Sequence, residues 1–169
     1  MKFPDFDKLA GEFPDYWKYP EPEMVKKLIG GGANSKDISN TCAIRTSYAM
    51  NGADVPIPRV WETITNRRGK NKKYHIIRVV NFRSWMEHTF GKPDYDFQKK
   101  AGTAFDRSKL KGRRGVIIFD IGFGDATGHC DLWYEDKFSH EHNAGKDYFM
   151  LASRVTLWSD GTIISVAPV

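Results

Sequence analysis

Only two cysteines, Cys42 and Cys130, occur in the 169 residues of this chain. Two thiols are too few for a disulfide scaffold and too few for an all-cysteine zinc site. No CxxC or HExxH pattern is present to supply further ligands. His129, Cys130, His140 and His142 are ligand types, but neighbouring strand residues point to opposite faces, so His129 and Cys130 do not readily share one ion. The expectation is therefore no metal and no cofactor. The N-terminus, Met1-Lys2-Phe3-Pro4-Asp5-Phe6-Asp7, lacks the apolar run of a Sec-type signal. No stretch approaches the roughly 20 apolar residues that cross a bilayer, so no membrane insertion is expected. Synthesis in the cytoplasm without a signal peptide follows, and action outside the cell would need another route. Internal repeats and low-complexity linkers are also missing, which leaves one domain over residues 1–169.

Hydrophobic residues make up 40% and aromatics 14% of the chain, enough to exclude disorder and to build a core. The formal net charge of +5 favours anionic partners: nucleic acid, an anionic membrane surface or a carboxylate-rich polymer. Helices are expected at Phe3 to Ala10, with Phe6 and Leu9 on one face, and at Glu23 to Ile29. Gly30-Gly31-Gly32 ends the second, as a flexible loop or as a close approach of backbone to substrate. A third helix runs from about Thr41 to Asn51, stopped by Gly52. Tyr74 to Val80 reads as a strand, and Asn81 as the cap of a helix reaching Gly91. Lys99 to Arg114 reads as basic surface. Gly115 to Ile121 is apolar on both faces and so central to a sheet. It turns through Gly122 to Gly128 into a second strand, His129 to Tyr134. Arg154 to Trp158 and Thr162 to Val166 complete the strands. Helices first and antiparallel strands last make an α+β fold.

Cys42 follows Asn40 and Thr41 and so falls in the first turn of its helix. Unpaired N–H groups and the positive end of the helix dipole favour thiolate there. Acyl transfer needs a base within about 3 Å and a polar group to fix its imidazole. Alternation along the second strand sends His129, Asp131 and Trp133 to one face and Cys130 and Leu132 to the other. If His129 faces Cys42, Cys130 does not, which makes Cys42 the nucleophile. The Cys42 N–H is the expected first oxyanion donor. His140, His142, Asp131 and Asp136 are candidates for the orienting role, with Asp131 on the right face but roughly 7 Å along the strand.

These residues carry a resemblance. Asn40 to Asn51 (NTCAIRTSYAMN) and Gly128 to Trp133 (GHCDLW) resemble the nucleophile helix and histidine strand of the type VI secretion amidase effectors, family 4. Tyr74 to Val80, Met86 to Pro93 and Gly112 to Phe119 fall in the same order, so the resemblance runs from about Gly30 to Trp133. It implies a papain-like, NlpC-like fold with the nucleophile helix packed on a C-terminal antiparallel sheet. It also implies hydrolysis of peptidoglycan peptide stems between D-glutamate and meso-diaminopimelate in a rival cell's periplasm. Delivery would be by the type VI apparatus, and a cognate immunity protein would plug the site. Cys42 matches the nucleophile and His129 the base. His140 stands where the family usually has an aspartate, and the related NlpC-type enzymes have a histidine there.

Arg45, Asp131 and Trp133 are the candidate substrate contacts, with Arg67 and Arg68 as further cations; Arg45 can equally be solvated or paired. Two other functions fit parts of the sequence. One is a papain-fold acyltransferase or transglutaminase-like enzyme using the same dyad. The other is a basic nucleic-acid-binding module built on Arg67 to Lys73 and Lys99 to Arg114.

Overall fold

A computed structural model describes residues 1–122, 128–135, 137–138 and 147–163. Helix α1 (Phe6–Glu12) starts where the Asp5 carboxylate accepts the Lys8 N–H at 3.0 Å, and it buries Phe6 and Leu9. Helix α2 (Pro22–Ile29) starts on proline, whose missing N–H costs nothing at that position. Beyond it, Gly31 at φ 59° lies so close to the Arg68 carbonyl that a Cβ would clash. The glycine run thus serves close approach, but to the chain's own backbone.

Helix α3 (Cys42–Gly52) is buried almost all round. Such a helix belongs inside a protein, not on its surface. Two short antiparallel pairs follow, β1 (Val60–Trp61) with β2 (Ile64–Thr65) and β3 (Arg67–Arg68) with β4 (Tyr74–His75). The expected strand from Tyr74 to Val80 stops at His75. Val79 and Val80 instead open α4 (Val79–Phe90), with Arg78 at its N-cap, so Asn81 is its third residue and not its cap. Burial of Val79, Phe82, Trp85 and Met86 along one helical face outweighs the β-preference of two adjacent valines.

The main sheet is wholly antiparallel, in the order β5 (Tyr95–Gln98), β9 (Arg154–Ser159), β6 (Arg113–Asp120), β7 (Gly128–Glu135), β8 (Lys137–Phe138). As its two-sided apolar sequence implies, β6 is central. Residues 123–127 of the connecting turn lie outside the described set. Strand β5 was not anticipated, and Thr162 and Ile163 are not in a strand; the remainder of that expected strand is also undescribed. Alternation divides the sheet cleanly. Val116, Ile118, Cys130, Leu132 and Trp158 pack under α1, α3 and α4, while Ile117, Phe119, Trp133, Val155 and Leu157 meet Leu110 and Phe149 on the other side. Phe149 belongs to a short helix, α5 (Tyr148–Leu151). The fold is α+β and papain-like, with the buried helix seated against the sheet.

Candidate active site

The N-terminus of α3 ends against the start of β7, which brings Cys42 to His129. Local hydrogen bonds hold the turn. Asn40 Oδ1 accepts the Cys42 N–H at 3.0 Å, and the Thr46 hydroxyl, one turn on, donates to the Cys42 carbonyl at 2.9 Å. Thr41, the N-cap residue, makes no side-chain cap bond. The Cys42 amide expected to face an oxyanion is thus already occupied by Asn40.

His129 is 7% exposed, with Nε2 turned to Asp131 Oδ2 at 3.4 Å, a long hydrogen bond. The other oxygen of Asp131 accepts the Leu132 N–H at 2.7 Å, which fixes the carboxylate. Asp131 lies two residues along the strand, yet the carboxylate and imidazole bend toward each other on their shared face. Burial alone would lower the His129 pKa. The Asp131 hydrogen bond and the Cys42 sulfur outweigh it, and the imidazole is raised to about 9.

The Cys42 thiol is pushed well below its ordinary value. The largest cause is the hydrogen bond from the Cys130 thiol, which exceeds the opposing effect of burial; the hydrogen bond and positive charge of His129 follow. Cys130 moves the other way, raised first by burial and then by its contact with Cys42. Its Sγ also lies 3.5 Å from the Thr46 hydroxyl. Alternation along β7 holds as expected, but the exclusion drawn from it does not. Cys42 meets both His129 and Cys130 because its sulfur approaches the edge of β7, not one face, and it accepts the Cys130 backbone N–H as well. Within the described residues β8 pairs β7 only at Trp133 and Tyr134, further along the strand. Gly128 lets this strand end lie against β6, where a Cβ would strike the Phe119 carbonyl.

Two aromatic residues absent from the sequence reading stand at this centre. Tyr148 stacks on the His129 imidazole with ring centroids 4.0 Å apart and planes 8° apart. Tyr16 is raised well above its usual pKa by burial, then by the charges of Asp131 and Cys42. Neither has a local motif to mark it, since each arrives from a distant segment.

The other expected contacts are placed differently. Arg45 is fully buried, and its guanidinium donates to the carbonyls of Pro14 at 2.5 Å, Asp15 at 3.3 Å and Tyr19 at 2.6 Å, while stacking on the Tyr16 ring at 4.0 Å. It holds the strap 14–19 onto α3 and faces no cleft. Trp133 is 1% exposed, with its indole N–H on the Leu110 carbonyl at 3.2 Å. Within the two basic stretches, Arg67 pairs with Asp37 at 2.6 Å, Arg107 with Asp147 at 3.0 Å and Arg114 with Asp160 at 2.8 Å, so these three cations are locally neutralised. His140, His142 and Asp136 lie outside the described residues. Among the described residues no group of acidic, cysteine and histidine side chains could hold a metal ion, and no helix is long and apolar enough to cross a membrane.

The family profile described as type VI secretion system, amidase effector protein 4, matches residues 38–161. Comparison with curated proteins gives no match. Among solved structures, the chain is similar to the type VI effector–immunity complex Tae4–Tai4 from Enterobacter cloacae, at 28% identity over 92% of this chain and 98% of that one, with a TM-score of 0.75. The corresponding complex from Salmonella Typhimurium matches at 28% identity over 95% and 98%, TM-score 0.73. The Enterobacter cloacae effector crystallised by itself matches at 28% over 94% and 99%, TM-score 0.73.

Proposed function

Because this chain belongs to the type VI secretion system amidase effector protein 4 family, we propose that it is an antibacterial hydrolase whose Cys42 and His129 cleave peptidoglycan peptide stems. The observation that carries the chemistry is the buried Cys42 thiol at the start of α3, in contact with a His129 whose Nε2 is held by Asp131. With Nε2 so engaged, Nδ1 is the nitrogen available to the sulfur. A depressed thiol and a raised imidazole together favour the thiolate–imidazolium pair.

The thiolate attacks the stem carbonyl, and the electron pair of the C=O moves to oxygen. The Cys42 N–H supports that oxyanion after Asn40 Oδ1 yields it or shares it in a bifurcated bond. His129 then passes its proton to the leaving amine. Water, deprotonated by the now neutral imidazole, hydrolyses the thioester and returns Cys42. Asp131 keeps the ring oriented and stabilises its positive form, the part that the resemblance gave to His140. The bond proposed is γ-D-glutamyl–meso-diaminopimelate. Delivery is proposed through the type VI apparatus into a target periplasm, and a cognate immunity protein, as in the crystallised relatives, would bind over the site.

Digestion of purified muropeptides, read by mass spectrometry, tests this reading. The wild type should release fragments with a new free D-glutamate carboxyl group, and Cys42→Ala should release none. Absence of fragments with wild type would overturn it. Products capped by an added amine in place of water would support acyl transfer instead.

A further inference from the structure

We infer that Tyr148 is a positioning residue for the His129 imidazole, acting through the face of its ring and not through its hydroxyl. This rests on the cysteine amidase reading above and adds to it the group that keeps the base flat against its two partners.

The geometry is specific. The Tyr148 and His129 rings are nearly parallel, with an interplanar angle of 8°, and their centroids are 4.0 Å apart. Two neutral rings prefer centroid separations of about 4.5–7 Å in offset or edge-on arrangements, because their quadrupoles repel face to face. A cation over a ring face is attracted, within about 6 Å of the centroid. The observed stack therefore suits imidazolium better than neutral imidazole, and imidazolium is the state that must stand beside a thiolate. The stack also removes tilt and leaves the imidazole only rotation in its own plane. Its two partners, Asp131 at Nε2 and the Cys42 sulfur, are reached through the ring nitrogens, whose hydrogen-bonding directions lie in the ring plane.

Tyr148 is held where it can do this. Asp147 caps α5 by accepting the Met150 N–H at 3.2 Å and pairs with Arg107 at 3.0 Å. The next residue, Phe149, is buried in the second core, edge-on to Phe119 at 4.9 Å, with the Arg107 guanidinium 4.6 Å over its ring. Phe149 anchors the short helix, and Tyr148 beside it meets the imidazole. Phe119, 6.3 Å from His129 and 5.8 Å from Tyr148, supports both rings. Among the described residues, the titratable groups around the imidazole are Cys42 from α3, Asp131 and Cys130 from β7, Tyr148 from α5 and, beside Asp131 and Cys42, Tyr16 from the strap 14–19. Burial, then the charges of Cys42 and Asp131, raise the phenol to about 12, so it stays neutral and cannot compete as a base.

The test compares Tyr148→Phe with Tyr148→Leu and Tyr148→Met, the last two filling the space without a π face. Three quantities are read: the pH at which Cys42 is half-reactive with iodoacetamide, kcat and KM on muropeptides, and the melting temperature. Tyr148→Phe should match wild type in all three. The Leu and Met variants should lose about tenfold in kcat with KM little changed. Their half-reactivity pH should rise by about one unit, with melting temperatures close to wild type. If Leu and Met behave as Phe does, or if Phe falls as far as they do, stacking is not the role and the inference is overturned. Alkylation needs no substrate. If wild type cleaves no muropeptide yet Phe and Leu still separate in their alkylation profiles, the substrate reading fails and the positioning stands.

Discussion

Cys42 and Cys130 touch, yet their environments drive them in opposite directions, the first well below and the second well above the ordinary thiol value. Iodoacetamide near pH 6.5 should therefore modify Cys42 at least about tenfold faster than Cys130, as peptide mass mapping would reveal. Equal rates would remove the premise of the nucleophile. The imidazole partner is the second residue-scale matter. Asp131→Asn keeps the shape but loses the negative charge, and should lower kcat by at least about a hundredfold. His140→Ala, made beside it, reports on the residue that the resemblance placed in this role. The smaller loss marks the residue that does not orient His129. That Cys42 opens a helix and that His129 lies on an alternating strand was legible in the sequence, because both follow from local patterns. Asp131 was placed on the right face, but the strand rise of roughly 7 Å argued against contact, since backbone spacing ignores how two side chains converge.

Helix α3 and the strap at 14–19 form a unit that no periodicity announces. A cation within an otherwise uncharged helix reads as a solvated, paired or substrate-facing side chain, and Arg45 is spent on three carbonyls of the strap and the Tyr16 ring. Leaving these carbonyls without their charged donor costs about 3 kcal/mol. Arg45→Ala should accordingly lower stability by about that amount in urea unfolding. If stability held while KM rose, Arg45 would be a substrate ligand after all. The far end of α3 is tied as firmly. Ser47 Oγ donates to the Ile76 carbonyl at 3.3 Å and accepts the Ile76 N–H at 3.1 Å, while Asn51 Nδ2 donates to the Tyr74 carbonyl at 2.8 Å. Those bonds explain why Tyr74 to Val80 does not run on as a strand: its middle section spends its backbone groups on α3 instead of on a sheet neighbour.

For the molecule as a whole, acid is the expected weakness, through a group remote from catalysis. His75 is fully buried, stacked on Tyr48 at 5.9 Å, and burial, then the charge of Lys73, lower its pKa to about 4. An unfolded imidazole takes its proton near 6.5. Between those values the unfolded chain binds a proton that the folded chain refuses, so stability falls as pH drops from about 6.5 to about 4 and this loss levels off below. The total is about 3 kcal/mol. Urea unfolding across that window should show the decline, and His75→Phe should flatten it. An unchanged slope in the variant would place the acid weakness elsewhere.

What the sequence determined by itself was local and compositional. The helix carrying Cys42, the two-sided central strand β6, the alternation of β7 and the α+β class all follow from capping chemistry and from periods of a few residues. Tertiary structure decided which edge of β7 the helix meets. That choice brought Cys130 and His129 to one sulfur, closed Arg45 under the strap and set Tyr148 flat on the imidazole. The physical reason is range. Caps and alternation act within a turn or a strand, whereas these contacts join segments far apart along the chain. Their positions depend on how two cores pack on opposite faces of one sheet, and no short pattern encodes that.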